Sequence, residues 1–324
     1  RLKLPGDALE YGALGRNTGE VLGVFGDIDL TSQSGLFGSL KGYSSSVRAK
    51  NLMRLELMLQ SLQPPRWPEE FPAVDAELAE EGSKLFVRKC AACHKTPDLQ
   101  REGEPTEVML PFEKTAPQDL TDIWMACNAY LREGPAGPLE GVKDNDGNVT
   151  GKVAPVASML GTAVKGALIA KAKDVVQEGF NNFFAVRKPP VIDRAPDPFD
   201  PRGNDRRVCL ETKDVPILAY KARPLDGIWA TAPYLHNGSV ASLYELLLPA
   251  RDRAKQFWVG GTEFDPDKVG YVTTKPQQGN AFLLKTHSDA GKVIEGNSNK
   301  GHEYGAEDLS ERERKALVEY MKTL

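Results

Sequence analysis

The most constraining feature of this sequence is a pair of cysteines two residues apart, followed at once by histidine, in Cys90-Ala91-Ala92-Cys93-His94. This spacing is typical of covalent haem attachment, because the thiols can add to the two vinyl groups on one porphyrin edge while the imidazole reaches the iron. A redox dithiol usually follows a β-strand, whereas the pattern before Cys90 is helical. A zinc site would need two further ligands, and the other cysteines, Cys127 and Cys209, are isolated. We therefore predict one covalent haem c with His94 as an axial ligand.

Composition narrows the class of protein. The 324 residues carry a formal net charge of −4, which gives no reason to expect a nucleic acid partner. The best apolar stretch, residues 153–170, is interrupted by proline, glycine and lysine, so we do not expect an integral membrane protein. Because c-type haem is attached outside the bacterial cytoplasm, we expect export to the periplasm or the exterior. The chain starts at Arg1 rather than methionine, and we expect it to begin inside a longer polypeptide.

Hydrophobic spacing predicts mainly helical structure. Leucines fall on one face of a predicted helix over residues 47–62, and the proline-rich residues 64–72 follow as an extended linker. A second predicted helix, from Asp75 to about residue 89, leads into the haem motif. Strand signals are few, and loops dominate residues 95–225. The predicted fold class is mainly α, with a class I cytochrome c-like haem domain that has long loops and few strands.

A terminal helix completes this prediction. Ser310 and Glu313 form a capping box, after which apolar residues line one face to the end of the chain. In small c-type cytochromes the helix before the haem motif crosses the C-terminal helix. We therefore expect Leu85-Phe86 to contact Leu317 and Tyr320.

The second axial ligand of the iron decides between an electron carrier and a catalyst. His302 lies among glycines and asparagines just before the terminal helix, and His236 lies in a turn. Either histidine could ligate the iron, and either could instead contact a propionate, whereas His287 reads as an exposed loop residue. Met53 and Met58 lie on the predicted amphipathic helix and Met321 lies in the core of the terminal helix, so we do not expect them to ligate the iron. The methionines that remain open as ligands are Met109, Met125 and Met159.

Several segments resemble one known family. Residues 223–240 read Arg-Pro-Leu-Asp-Gly-Ile-Trp-Ala-Thr-Ala-Pro-Tyr-Leu-His-Asn-Gly-Ser-Val, which is similar to the signature of the bacterial di-haem cytochrome c peroxidase superfamily. Residues 248–253, 257–271 and 296–305 resemble its rubber-oxygenase-like branch. The resemblance covers about residues 47–324, and its motifs are long and correctly ordered relative to the haem motif.

The resemblance implies two cytochrome c domains, each with its own haem. This sequence has one such haem motif, which matches the C-terminal domain. Residues 1–74 are then the incomplete tail of an N-terminal haem domain with its linker, and residues 75–324 are a cytochrome c domain with covalent haem. The methionine that ligates the C-terminal haem of classical peroxidases corresponds to Ala250. The rubber-oxygenase-like branch uses a late histidine, which corresponds to His302.

The resemblance also implies the surroundings of the haem. His236 would lie beside it near a propionate, Trp229 would lie at its edge, and Arg223 would be a propionate partner. Family members can hold calcium between their domains, and residues 144–148, Asp-Asn-Asp-Gly-Asn, hint at calcium. This string lacks the alternating oxygen ligands and the bidentate Glu of an EF-hand, so a solvated turn is favoured. A disulfide between Cys127 and Cys209 is one prediction for an oxidising compartment, and two buried thiols are the alternative.

These features predict a closed, six-coordinate haem. Two histidines on the iron leave no position for peroxide or oxygen, so the haem relays electrons. The predicted function is the electron-transfer domain of an extracytoplasmic di-haem oxidoreductase, peroxidase- or oxygenase-like, whose catalytic haem lies outside this chain. The partner would be a second haem domain or a redox protein, and no catalytic residue is assigned. The alternatives are a mono-haem carrier or cytochrome subunit without its own catalysis, and a mono-haem enzyme in which His302 leaves the iron open.

Overall fold

The computed structural model describes residues 13–36, 40–60, 62–94, 108–111, 132–145, 147–173, 219–222 and 224–324. The chain divides into two compact units, and each unit combines segments that are distant in sequence. Unit 1 contains the described residues up to 62 together with 132–173. Unit 2 contains 63–94 together with 224–324.

Helices are the longest regular elements in the described part of the chain. They are α1 (Ala13–Val24), α2 (Ala49–Gln60), α3 (Ala76–Lys89), α4 (Val156–Ala170), α5 (Leu243–Leu246) and α6 (Glu311–Met321). The strands are β1 (Ile28–Leu36), β2 (Leu40–Ser45), β3 (Val108–Pro111), β4 (Glu133–Pro135), β5 (Val153–Pro155), β6 (Ala219–Ala222), β7 (Gln256–Val259), β8 (Phe264–Asp265), β9 (Gly270–Tyr271) and β10 (Phe282–Lys285). Helix with a few short strands agrees with the predicted mainly α class.

Unit 1 packs helix α4 against the antiparallel hairpin β1–β2. Helix α4 contacts both β2 and α1, and α1 also contacts α2. The ring of Tyr43 lies so close to Gly166 that a Cβ at this glycine would overlap it, at 2.0 Å from Cδ2. The small residues of α4 therefore allow a close approach of helix and strand.

The predicted helix over residues 47–62 is α2, which the structure limits to Ala49–Gln60. Leu52 and Met53 pack against Leu14 and Ala49 inside unit 1. Other apolar side chains of the same helix are exposed, namely Leu55, Met58 and Leu59. Helix α2 thus packs on α1 with part of its surface and leaves these three side chains exposed.

Unit 2 is built on the crossing of α3 and α6. Asp75 caps α3, its carboxylate accepting hydrogen bonds from the backbone N–H of Glu77 and Leu78, each at 3.0 Å. The capping box of Ser310 and Glu313 begins α6 as predicted. These caps satisfy N–H groups that have no partner within their own helix.

The crossing point of the two helices is Gly82. A Cβ placed there would lie 1.9 Å from the carbonyl oxygen of Ala316, so no larger residue fits without moving the helices. The rings of Phe86 and Tyr320 follow, with centroids 5.2 Å apart. The predicted contact between the two helices is confirmed. The buried core around it comprises Leu85, Phe86, Trp229, Tyr234, Val240, Leu243, Val269, Leu309, Leu317, Val318 and Met321.

The proline-rich segment before α3 is packed onto unit 2. The ring of Trp67 lies 5.3 Å from that of Trp229, and Phe71 stacks on Phe264 at the same distance between centroids. The indole N–H of Trp229 donates to the carbonyl of Pro65 at 3.1 Å. Residues 64–72 are therefore part of the folded structure of unit 2.

The structure bears on the remaining expectations as follows. The turn at residues 144–148 is present, closed by a hydrogen bond from Asn148 N to the Asp144 carboxylate at 2.9 Å. The residues Met125, Cys127, Cys209 and Arg223 lie outside the described part of the chain. Within the described part of the chain, no helix is long and apolar enough to cross a membrane. The interpretation of residues 1–74 as the tail of a haem domain stays a prediction.

Candidate haem site

The end of α3 shapes the cysteine motif. Cys90 N donates to the carbonyl of the buried Phe86 at 2.8 Å, which ties the motif to the core. The Cys90 carbonyl then accepts from both Cys93 N at 3.0 Å and His94 N at 2.8 Å. The motif is thus a compact turn that ends with His94 directly beyond the helix.

His302 comes from a loop with unusual backbone geometry. Gly301 and Gly305 have φ of +104° and +72°, and His302 itself has φ of +55°. This left-handed region is uncommon for residues other than glycine and is maintained only where the surroundings enforce it. The glycines on both sides of His302 thus allow the backbone to turn tightly at this point.

The central observation is the distance between two imidazoles. The ring centroids of His94 and His302 are 6.0 Å apart, and their planes are inclined at 43°. A metal–imidazole bond is about 2.0 Å long and a ring nitrogen lies about 1.2 Å from its centroid, so imidazoles on opposite sides of one metal ion have centroids roughly 6 Å apart. The spacing therefore fits a single iron between these two side chains.

The electrostatics of His302 suit this role. Desolvation, followed by the proximity of His94 and Arg253, lowers the pKa of His302 to about 4. The side chain is then neutral at physiological pH, which is the form of imidazole that binds a metal.

The thiols do not resemble a redox pair. Burial, and then the neighbouring Cys93, raise the pKa of the Cys90 thiol to about 11. Reactive CxxC pairs instead have a lowered thiol pKa, because the thiolate is the nucleophile. Among the residues that the structure describes, no group of three His, Cys, Asp or Glu side chains is placed to hold a metal ion, so no zinc cluster surrounds the motif there. Thioether attachment of a haem is the chemistry that fits Cys90 and Cys93.

The segment that carries His236 supports the loop of His302 through its neighbours. Asn237 Nδ2 donates to the carbonyl of Ser298 at 2.8 Å, and Ser239 Oγ donates to the same oxygen at 2.9 Å. Asn237 also reaches the carbonyl of Gly296 at 3.3 Å. The polar residues of the His-Asn-Gly-Ser motif thus hold the beginning of the other loop, a role that the sequence did not indicate.

The other candidate residues are placed as follows. His236 has an exposed side chain. Trp229 is buried, and its indole N–H donates to the carbonyl of Pro65. His287 Nδ1 is 2.8 Å from the hydroxyl of Thr286. The positions of His236, Trp229 and Arg223 relative to a haem stay predictions.

The methionines are divided between the units. Met53, Met58 and Met159 lie in helices of unit 1, and Met321 is buried in the core of unit 2 beside α3. Met109 lies in β3. Among the described residues, His302 is the side chain that the structure brings opposite His94.

A cysteine motif at the end of a helix, a terminal helix crossing it and an opposed histidine pair are features of a cytochrome c-like domain. A family described as RoxA-like, cytochrome c-like matches residues 219–259. This match supports the rubber-oxygenase-like cytochrome c family, and with it haem c binding and a role in electron transfer.

Two curated proteins of Sinorhizobium fredii (strain NBRC 101917 / NGR234) are similar to this chain. Uncharacterized protein y4iJ is 33% identical over 333 residues, which cover 95% of this chain and 50% of that protein. Uncharacterized protein y4iM is 45% identical over 80 residues, or 22% of this chain and 18% of that protein. The chain therefore spans about half the length of the first relative and less of the second.

Proposed function

We propose that this chain is the electron-transfer haem domain of an extracytoplasmic di-haem oxidoreductase, with the iron ligated by His94 and His302. The observation that carries the proposal is the 6.0 Å separation of the two imidazoles. A haem with two imidazole ligands has no vacant coordination position, and it lacks the methionine ligand that raises the reduction potential. Such a site is suited to relaying electrons at low potential.

Each residue has a distinct task in this function. Haem c, when bound, supplies reversible one-electron chemistry at its iron. Cys90 and Cys93 fix the porphyrin edge through thioether bonds, and the turn after α3 orients His94. Leu85, Phe86 and the terminal helix form an apolar wall beside the motif, which excludes water and lowers the local dielectric constant.

The di-haem part of the proposal has separate support. The first relative is about twice as long as the aligned region, so there is room for a second domain in proteins of this kind. The resemblance to di-haem peroxidases and rubber-oxygenase-like proteins implies that this second domain carries the catalytic haem. The reaction there would be peroxidase- or oxygenase-like. Export is proposed because c-type haem is attached outside the bacterial cytoplasm.

The ligation is tested by spectroscopy of the native protein matured with covalent haem. We expect a low-spin ferric iron in the wild type, and a high-spin iron that binds carbon monoxide after reduction in His302→Ala. His287→Ala is the matched control, because this histidine is hydrogen-bonded to Thr286, and it should leave the spectrum unchanged. A methionine-type charge-transfer band, or a high-spin wild type, would contradict the proposal.

The number of haems is tested by the pyridine haemochrome assay together with the intact mass of the native protein. Two covalent haems per chain are expected of a di-haem oxidoreductase. One haem per chain would favour the alternative, a mono-haem carrier or a cytochrome subunit of a larger complex.

A further inference from the structure

We propose that Arg253 is a positioning residue that holds the loop of His302 in place and thereby keeps the iron six-coordinate. The inference rests on the proposed ligation by His94 and His302. It assigns a function to Arg253, although the hydrogen bonds of this arginine do not reach the imidazole of His94 or of His302.

The guanidinium of Arg253 is bonded to four main-chain carbonyls. Its side chain is nearly inaccessible, since the residue is 3% exposed. Nε donates to Leu248 at 2.9 Å and Nη2 to Leu246 at 3.1 Å. Nη1 donates to Asn299 at 2.5 Å and to Gly301 at 2.9 Å. One side chain thus joins the end of α5 to two carbonyls, those of Asn299 and Gly301, within the three residues that precede His302.

Burying the charged guanidinium of Arg253 is unfavourable unless its N–H groups form several hydrogen bonds at this point. Burying a guanidinium carries a desolvation penalty, which lowers the pKa of Arg253, with Glu303 and Glu245 acting in the opposite direction. The four carbonyl bonds add to the favourable effect of these two carboxylates. An apolar side chain would avoid the penalty but would leave the buried carbonyls of Asn299 and Gly301, and the partly buried ones of Leu246 and Leu248, without these donors. The guanidinium group of arginine is planar and carries five N–H donors, so this one side chain can bond to all four carbonyls.

The carbonyls of Asn299 and Gly301 lie in a stretch of backbone with an unfavourable conformation. Gly301 and His302 both have positive φ, at +104° and +55°. A left-handed conformation at a residue other than glycine is unfavourable and persists only when neighbouring contacts impose it. Arg253 fixes the carbonyl of Gly301, immediately before His302, and that of Asn299, two residues earlier. On the other side, the Glu303 carboxylate accepts a hydrogen bond from Ala250 N at 2.7 Å.

The beginning of the loop has a separate anchor. Asn237 and Ser239 hold the carbonyl of Ser298 and do not depend on Arg253. Asn299 keeps a bond of its own, from its Nδ2 to the carbonyl of Ala254 at 3.1 Å. Loss of the guanidinium should therefore loosen residues 300–302 while the preceding part of the loop stays attached. The expected result is partial release of His302 from the iron in a folded domain.

The test compares Arg253→Gln and Arg253→Lys with the control Arg251→Gln in the native protein with covalent haem. Arg251 lies two residues away and is exposed, and its partner is the carboxylate of Glu307, so this variant removes an arginine without touching the carbonyls. We expect both Arg253 variants to increase the five-coordinate fraction and the carbon monoxide binding rate about tenfold or more. Added imidazole should restore their low-spin spectrum, and the control should match the wild type.

The outcomes separate the inference from the proposed function. A wild type that binds carbon monoxide as fast as His302→Ala would contradict the bis-histidine ligation, and the inference with it. A low-spin wild type, an open His302→Ala site and unchanged Arg253 variants would contradict the positioning role alone. If neither Arg253 variant yields a folded protein with covalent haem, Arg253 supports the fold as a whole and the inference is wrong.

Discussion

Glu245 is a partly buried acid, and desolvation disfavours its charged form. Its Oε2 is buried and has no hydrogen bond within the described part of the chain. Desolvation raises the pKa of Glu245, against the lowering effects of Lys268, the backbone N–H of Ala254 and Arg253. The folded protein therefore binds a proton at this residue more readily than the unfolded chain does.

The sign of the pH dependence follows from linkage. For an acid whose folded pKa lies above its unfolded value, stability is greatest below the unfolded pKa of about 4.3 and falls as the pH rises through the folded pKa. We expect Glu245→Gln to unfold at a higher temperature than the wild type at pH 7, and this difference to vanish near pH 4. Thermal denaturation followed by circular dichroism at both pH values measures this. Glu80→Gln, at an exposed ion pair with Lys84, should shift the midpoint little. Equal midpoints at pH 7 would refute the assignment.

Residues with local signatures were predictable, and residues that act over a distance were not. Cys90, Cys93 and His94 are adjacent in sequence, and their spacing alone indicated the chemistry. Arg253 bonds to segments that lie before it and 46–48 residues after it, and no local pattern encodes that geometry. His302 was favoured through the resemblance, because the residues alone left His236 equally open.

Among the elements, the crossing of α3 and α6 leaves no space for a side chain larger than that of Gly82. A Cβ at Gly82 would meet a backbone carbonyl, which cannot rotate away as a side chain can. We expect Gly82→Ala to lower the free energy of unfolding by about 1–3 kcal/mol or more, because the helices must separate.

Gly23→Ala in α1 is the matched control, since nothing lies within 4 Å of a Cβ built there. Alanine at an unobstructed helical position should be neutral or stabilising by up to about 1 kcal/mol. Chemical denaturation of both variants makes the comparison. Equal stabilities would mean that the two helices do not approach this closely.

The segment before α3 gives a second prediction for the elements. The ring of Trp67 contacts those of Trp229, Phe71 and Phe264, and its N–H donates to Pro72. Trp67→Ala should cost about 2–4 kcal/mol, somewhat less than a fully buried tryptophan. The exposed Glu69→Ala serves as the control. Unchanged stability in Trp67→Ala, measured by denaturation followed at the haem absorption band, would show that this segment is a free linker.

The elements were predicted well where caps and periodicity agree. Asp75 and Ser310 both occupy cap positions, and the helices that follow them have the expected contact. The packing of the proline-rich segment was not predicted, because Pro residues indicate an extended backbone but not the surface on which it lies. Its aromatic residues were the available signal.

At the scale of the whole molecule, the cofactor is expected to be part of the core. Between residues 224 and 310 the described helices and strands are short, so unit 2 has no long regular element there to stabilise it without the cofactor. We expect Cys90→Ser/Cys93→Ser, which cannot form the thioethers, to lose the cooperative unfolding of unit 2 or to lower its midpoint strongly.

Calorimetry of this variant and of the wild type, each matured under the same conditions, measures the effect. Wild type produced without haem maturation is the control and should behave like the double variant. A midpoint unchanged in both would mean that the domain folds without the cofactor.

The grouping of distant segments into one unit could not be predicted from the sequence. Residues 132–173 group with the N-terminal segment in unit 1, and the boundary at residue 74 stays a prediction. The contact of Tyr43 with Gly166 joins residues more than a hundred positions apart in sequence. Such pairings depend on the complementarity of two surfaces, which periodicity within either segment does not reveal.

The hydrogen bonds around residues 296–303 have a consequence for electron-transfer kinetics. An iron that gains or loses an electron favours slightly different ligand distances in its two oxidation states, and moving the ligands slows the transfer. His302 is attached to a backbone fixed by Asn237, Ser239 and Arg253, so its displacement between the two states should be small. Under the proposed ligation, the loop that closes the coordination sphere would therefore also give the haem a low reorganisation energy, which is the property that a fast relay requires.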